Sequence, residues 1–153
     1  FKFDSNRAGG AFLDYNDKSG VVRDISLVGG QVSVDSYFYL SAGVLVNSNY
    51  GLVNKVEVKD TTLLLRSPLG LKRGSGASLL VGYNYGRVDS SGAISSSILD
   101  GTESGNPGWF TGLLIGINYM TGSVSNLYAS DSTVAPSLND NNRFIYWDRS
   151  SDN

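Results

Sequence analysis

Short apolar runs that alternate with polar residues, cut repeatedly by Gly, Asn, Asp and Ser, constrain this chain more than any other feature. Residues 52–59 show the pattern most plainly. Leu52, Val56 and Val58 share one face, and Lys55, Glu57 and Lys59 share the other. A side-chain period of two belongs to a strand with one dry side and one wet side. Residues 21–28 alternate in the same way and end at Gly29-Gly30, and residues 31–47 continue extended with a bend near Ser41 to Gly43. The cluster Asn47-Ser48-Asn49-Tyr50-Gly51 reads as a hairpin connection.

Two further runs are long. In residues 78–88, Leu79, Val81, Tyr83 and Tyr85 oppose Leu80, Gly82, Asn84 and Gly86. In residues 109–121, Trp109, Leu113, Ile115, Ile117 and Tyr119 oppose Gly112, Gly116 and Asn118. Composition points the same way. Glu occurs only at Glu57 and Glu103, while Asp recurs from Asp4 to Asp152. Asp favours turns and caps, whereas Glu favours helix interiors. The 41% hydrophobic fraction lies in periodic runs, which argues for a packed core over disorder. The expectation is an all-β fold in a single domain, residues 1–153. Its form is an antiparallel β-sandwich or jelly roll of about eight or nine strands, with a small closed β-barrel as the alternative. No internal repeat, composition break or heptad is read along the chain.

Several functions are disfavoured by what is missing. The chain has no His and no Cys. Without them it lacks the commonest zinc, haem and iron–sulfur ligands, and the Ser–His and Cys–His nucleophile pairs. No catalytic centre is expected. Charged residues are 17% with a net charge of -2, so no basic footprint for nucleic acid is present. No apolar stretch reaches the length of a transmembrane helix. The chain opens on Phe1 rather than Met, which reads as a processed N-terminus and an extracellular or cell-surface location.

The chemical motifs fall short of their spacing. Asp89-Ser90-Ser91-Gly92-Ala93 approaches the shared-proton loop of aspartic proteases, but an extra Ser breaks it and Asp100-Gly101-Thr102 supplies no mate. In Asp14-Tyr15-Asn16-Asp17-Lys18-Ser19-Gly20, oxygen ligands suited to calcium come at alternate positions, but Lys18 and Ile25 occupy ligand positions of the EF-hand pattern. Asp14, Asn16, Asp17, Asp131 and Asp140 are therefore calcium candidates, with no other cofactor expected. Trp109 and Trp147 are the candidate aromatic platform for carbohydrate.

The reading that best fits is a structural subunit of an extracellular filament, pilus or sheath. It would self-assemble with copies of itself by β-strand complementation. Residues 1–13 are the candidate donor extension, with Phe1 and Phe3 as anchors and Gly9-Gly10 as hinge. Phe144, Ile145, Tyr146 and Trp147 form the second candidate donor. The alternatives are a small outer-membrane β-barrel and a capsid or carbohydrate-binding jelly roll.

Overall fold

The structure is a computed structural model and describes residues 2–5, 9–35, 41–66, 75–101, 109–135 and 144–148. Eighteen strands occur in chain order, with no helix among the described residues: β1 (Lys2–Ser5), β2 (Gly9–Gly10), β3 (Leu13–Asn16), β4 (Val21–Asp35), β5 (Ala42–Gly43), β6 (Val46–Asn49), β7 (Leu52–Arg66), β8 (Ser75–Ser78), β9 (Val81–Asn84), β10 (Arg87–Asp89), β11 (Gly92–Ile94), β12 (Ser97–Asp100), β13 (Trp109–Thr111), β14 (Ile115–Asn118), β15 (Ser123–Ser125), β16 (Tyr128–Ser130), β17 (Thr133–Val134) and β18 (Ile145–Asp148).

Every strand pairing among the described residues is parallel, and each strand pairs with its counterpart about one coil further along the chain. Val46 lies over Val81, Val81 over Ile115 and Ile115 over Ile145. The chain therefore winds as a solenoid with three sheets. A long sheet holds β1, β4, β7, β10–β12 and β15–β17; a short sheet holds β2, β5, β8 and β13; a third sheet holds β3, β6, β9, β14 and β18. Each coil runs from the short sheet through the third sheet to the long one.

This overturns the antiparallel sandwich, the jelly roll and the closed barrel alike. The alternation was real, but a period of two is the same for either pairing direction. Residues 47–51 are not a hairpin. They lead from β6 round a corner into β7, and their hydrogen-bonded neighbours are the equivalent corner of the next coil: Tyr85 N–H donates to Asn49 O at 2.8 Å and Arg87 N–H to Gly51 O at 2.8 Å. The chain also does repeat, contrary to the sequence reading. Asn16, Asn49, Asn84 and Asn118 take equivalent places at steps of 33, 35 and 34 residues.

The core is made of stacked rows inside the coil. Val22, Val53 and Val88 form one, and Val32, Leu63, Ile98 and Val134 another, all buried. Two bends per coil let the long sheet wrap this core. Asp24, Lys55, Ser90 and Asn126 have φ of 50–55° in one column, and Gly29, Asp60, Ser95 and Asp131 have φ of 47–65° in the other. A single left-handed residue reverses the in–out alternation, which is why Asn54 and Lys55 both face outward. Inside the bends, serines take up backbone donors of the coil before. Val56 N–H donates to Ser91 Oγ at 3.1 Å and Thr61 N–H to Ser96 Oγ at 3.2 Å.

Candidate functional site

The corner between the third sheet and the long sheet repeats from coil to coil. Asn49-Tyr50-Gly51 and Asn84-Tyr85-Gly86 stand there with the same three residues, and Asn118-Tyr119 follows in the next coil. Each residue type has its own physical reason to be there.

The asparagines point inward. Asn16 Nδ2 donates to Asn49 Oδ1 at 2.7 Å, Asn49 Nδ2 to Asn84 Oδ1 at 2.8 Å, and Asn84 Nδ2 to Asn118 Oδ1 at 2.7 Å. Asn49, Asn84 and Asn118 are fully buried. A lone amide in that position would carry a large desolvation cost, but identical amides one coil apart satisfy one another. The same groups also tie down their own corner, since Asn49 Nδ2 reaches Gly51 O at 3.2 Å and Asn84 Nδ2 reaches Gly86 O at 3.3 Å. Asn84 and Asn118, set by simple alternation on the face opposite Val81 and Ile115, are thus core residues.

The tyrosines point outward and stack. Ring centroids lie 4.5 Å apart between Tyr50 and Tyr85 and 4.2 Å apart between Tyr85 and Tyr119, with interplanar angles of 5° and 8°. Tyr15 tilts onto Tyr50 at 5.1 Å, and Tyr83 meets Tyr119 edge-on at 5.8 Å. The strand spacing of about 4.7–4.9 Å suits offset stacking of rings carried on successive coils. Burial, then the Tyr119 hydroxyl and the neighbouring phenols, push the Tyr85 hydroxyl well above its ordinary pKa. Burial does the same at Tyr83.

The glycines let the coils close up. A Cβ on Gly86 would run into the Gly51 carbonyl and the Tyr50 backbone, and one on Gly51 into the Gly20 carbonyl. No side chain fits between these corners.

Beside the tyrosine stack runs an open groove of about 480 Å³, parallel to the solenoid axis. It crosses four coils, from Lys18 in the first to Ser123 in the fourth. Its floor follows Gly20, Gly51 and Gly86; Tyr50 and Tyr85 form one wall; Val21, Leu52 and Arg87 form the other. At one end Tyr119 and Met120 border a second hollow of about 180 Å³.

The first and last described coils resemble each other. The residues that precede the register column Leu13, Val46, Val81, Ile115 and Ile145 are Phe12, Leu45, Leu80, Leu114 and Phe144. Leu45, Leu80 and Leu114 are 0% exposed, whereas Phe12 is 51% and Phe144 41% exposed. Leu13 and Ile145 are likewise only half-buried.

The other sequence-derived candidates are scattered. Asp14 accepts from Asn47 Nδ2 at 2.8 Å, and Asp17 accepts from Ser19 N–H at 3.2 Å, both outside the coil, while Asn16 turns inward. Asp131 accepts from Ser130 Oγ at 2.9 Å on the far side of the long sheet. Asp140 and Phe1 lie outside the described residues. Among the described residues, no three His, Cys, Asp or Glu gather where a metal ion could be held. Asp89 does have a defined role. Hydrogen bonds from Ser125 at 2.7 Å and Asn126 at 2.9 Å hold its carboxyl below the usual range, and so it steadies the left-handed bend at Asn126. Phe3 lies in β1, which pairs in parallel with β4 of the same chain and sets Phe3 opposite Val32. Gly9 and Gly10 form β2, paired with Ala42 and Gly43. Trp147 pairs with Ile117, Tyr146 lies beside it in β18, and Trp109 pairs with Ser75 on a different sheet. The asparagines, tyrosines and glycines of the corner were missed, although the recurrence of Asn-Tyr-Gly was a signal open to sequence inspection.

No helix among the described residues is long and apolar enough to cross a membrane. Comparison with protein families, with curated proteins and with solved structures finds no match.

Proposed function

We propose that this chain is a structural subunit of an extracellular filament, a solenoid rod that joins end to end with copies of itself. The observation that carries the reading is the row Phe12, Leu45, Leu80, Leu114, Phe144, dry in its middle and open at both ends. A row of this kind is covered in the interior by the next coil of the same pattern. A second copy, laid with its first coil over the last coil of its neighbour, supplies the same cover.

Such a contact is heterologous and does not close on itself, so it propagates into a fibre. Burying one Phe side chain contributes about 1.5–3 kcal/mol, and the parallel ladder between terminal coils adds backbone hydrogen bonds in the short and third sheets. Strand addition to the first coil already occurs inside the chain, where Lys2–Ser5 lies parallel along the edge of Val21–Asp35.

Sedimentation and electron microscopy of the purified protein test the proposal. The protein is expected to form filaments, and both Phe12→Glu and Phe144→Glu are expected to remain monomeric. Mixing the two variants should restore pairs and nothing longer, because each retains one intact end. A protein that stays monomeric at high concentration, or variants that polymerise normally, would sink the idea.

A further inference from the structure

We propose that the axial groove beside the tyrosine stack binds a linear acidic polysaccharide lying along the rod. The argument is independent of end-to-end assembly and begins from charge. The chain carries a net charge of -2, yet the residues lining this groove include Lys18 and Arg87 and no carboxylate. Arg87 Nη2 also meets Asp89 Oδ2 at 3.3 Å, an exposed ion pair that sets the guanidinium's position. The remaining guanidinium N–H groups keep their capacity to donate.

Shape is the second element. The groove follows the coil repeat, so successive corners offer the same glycine floor and the same phenol edges to a ligand that also advances by a regular step. Phenol edges on one wall and the hydroxyls of Ser19, Thr121 and Ser123 elsewhere suit a ligand bearing many hydroxyl groups. A compact ligand would use one corner and leave the others empty.

Spacing selects the kind of polyanion. Lys18 lies in the first coil and Arg87 in the third, so two coil steps, about 10 Å along the axis, separate the cations. A strand of duplex nucleic acid carries one charge per about 3.4 Å, so most of its phosphates in this span would have no cation to meet. A glycan with an acid on every second sugar places its carboxylates further apart and leaves the intervening ring neutral.

Titration calorimetry with hyaluronan oligosaccharides tests this, with a neutral cello-oligosaccharide and a thymidine oligonucleotide as comparison ligands. The full chain is expected to bind hyaluronan and to prefer it at least tenfold over both comparisons. The double variant Lys18→Gln, Arg87→Gln should lose at least tenfold in affinity while melting within a few degrees of the parent. Absent binding overturns the proposal. So does equal or tighter binding of the oligonucleotide or the neutral glycan. Full retention of affinity in a double variant that folds normally overturns it as well.

Discussion

Asn49 donates its side-chain amide to Asn84 at 2.8 Å, between two fully buried residues that stand 35 positions apart in the chain. That bond ties one coil to the next from the inside, and the same bond is made above and below it. The corner is therefore a column of like groups, in which removing one member takes a short side-chain bond from each of two neighbours.

Asn84→Ala is accordingly expected to cost more than an ordinary lost hydrogen bond. It removes the short acceptor of the Asn49 amide, which keeps only its longer bonds to Gly51 O and Arg87 O. It also removes the Asn84 donor to Asn118 Oδ1. Each loss costs about 1–3 kcal/mol where a buried group is left poorly satisfied. Urea unfolding should show a loss of at least about 2 kcal/mol. A loss below about half a kcal/mol would mean that the column does not hold the coils together.

The tyrosine stack makes the fold sensitive to alkali. The folded state raises the Tyr85 phenol above its unfolded value near 10, chiefly by burial and then through Tyr119. In that window the folded chain holds more protons than the unfolded one, so its contribution is intact below pH 10 and falls as pH rises above it. Thermal melting from pH 8 to 11 should show this decline. Tyr85→Phe should make it shallower and keep the stack, whereas Tyr85→Ala should lose stability at every pH, since two stacked contacts are each worth about 0.5–1.5 kcal/mol.

The two kinds of glycine should separate on substitution. Gly86→Ala puts a methyl group against the Gly51 carbonyl and Tyr50 backbone, and a marked fall in melting temperature is expected. Gly29 sits at φ 65°, and a Cβ there meets nothing within 4 Å. Its stacked counterparts Asp60, Ser95 and Asp131 hold similar left-handed angles. Gly29→Asn should therefore change stability by no more than about half a kcal/mol, because Asn tolerates this region well.

Ile115→Ala tests the interior rows. Ile115 is fully buried between Val81 and Ile145 in its column. A loss of about 2–5 kcal/mol is expected, because neighbouring coils held by their ladders cannot collapse into the space. A change under about half a kcal/mol would place this residue outside the core.

How the chain folds was only partly written in its local pattern. Strand character, the absence of helix signals, and the burial of Leu79, Val81, Leu113, Ile115 and Ile117 all follow from alternation and composition. Tyr83 is only half-buried, because at the corner it leans edge-on against Tyr119. Lys55 stays exposed as expected, but the left-handed bend there moves Val53 to the inner face and leaves Leu52 outside.

Local sequence by itself determined that this chain makes strands, but not where the corners come, since residues 78–88 and 109–121, continuous by alternation, are each broken by a corner. Only the tertiary structure decided which strands meet, in which direction, and which polar residues go inside. Alternation specifies a face for each side chain and says nothing of its neighbour, so the same pattern served an antiparallel expectation and a parallel fold. The asparagines show the reason most clearly. One buried amide is a fault by the rules of a single strand. It becomes a stabilising element only when a second amide arrives 35 residues later at 2.8 Å, and that distance exists only once the coils are stacked.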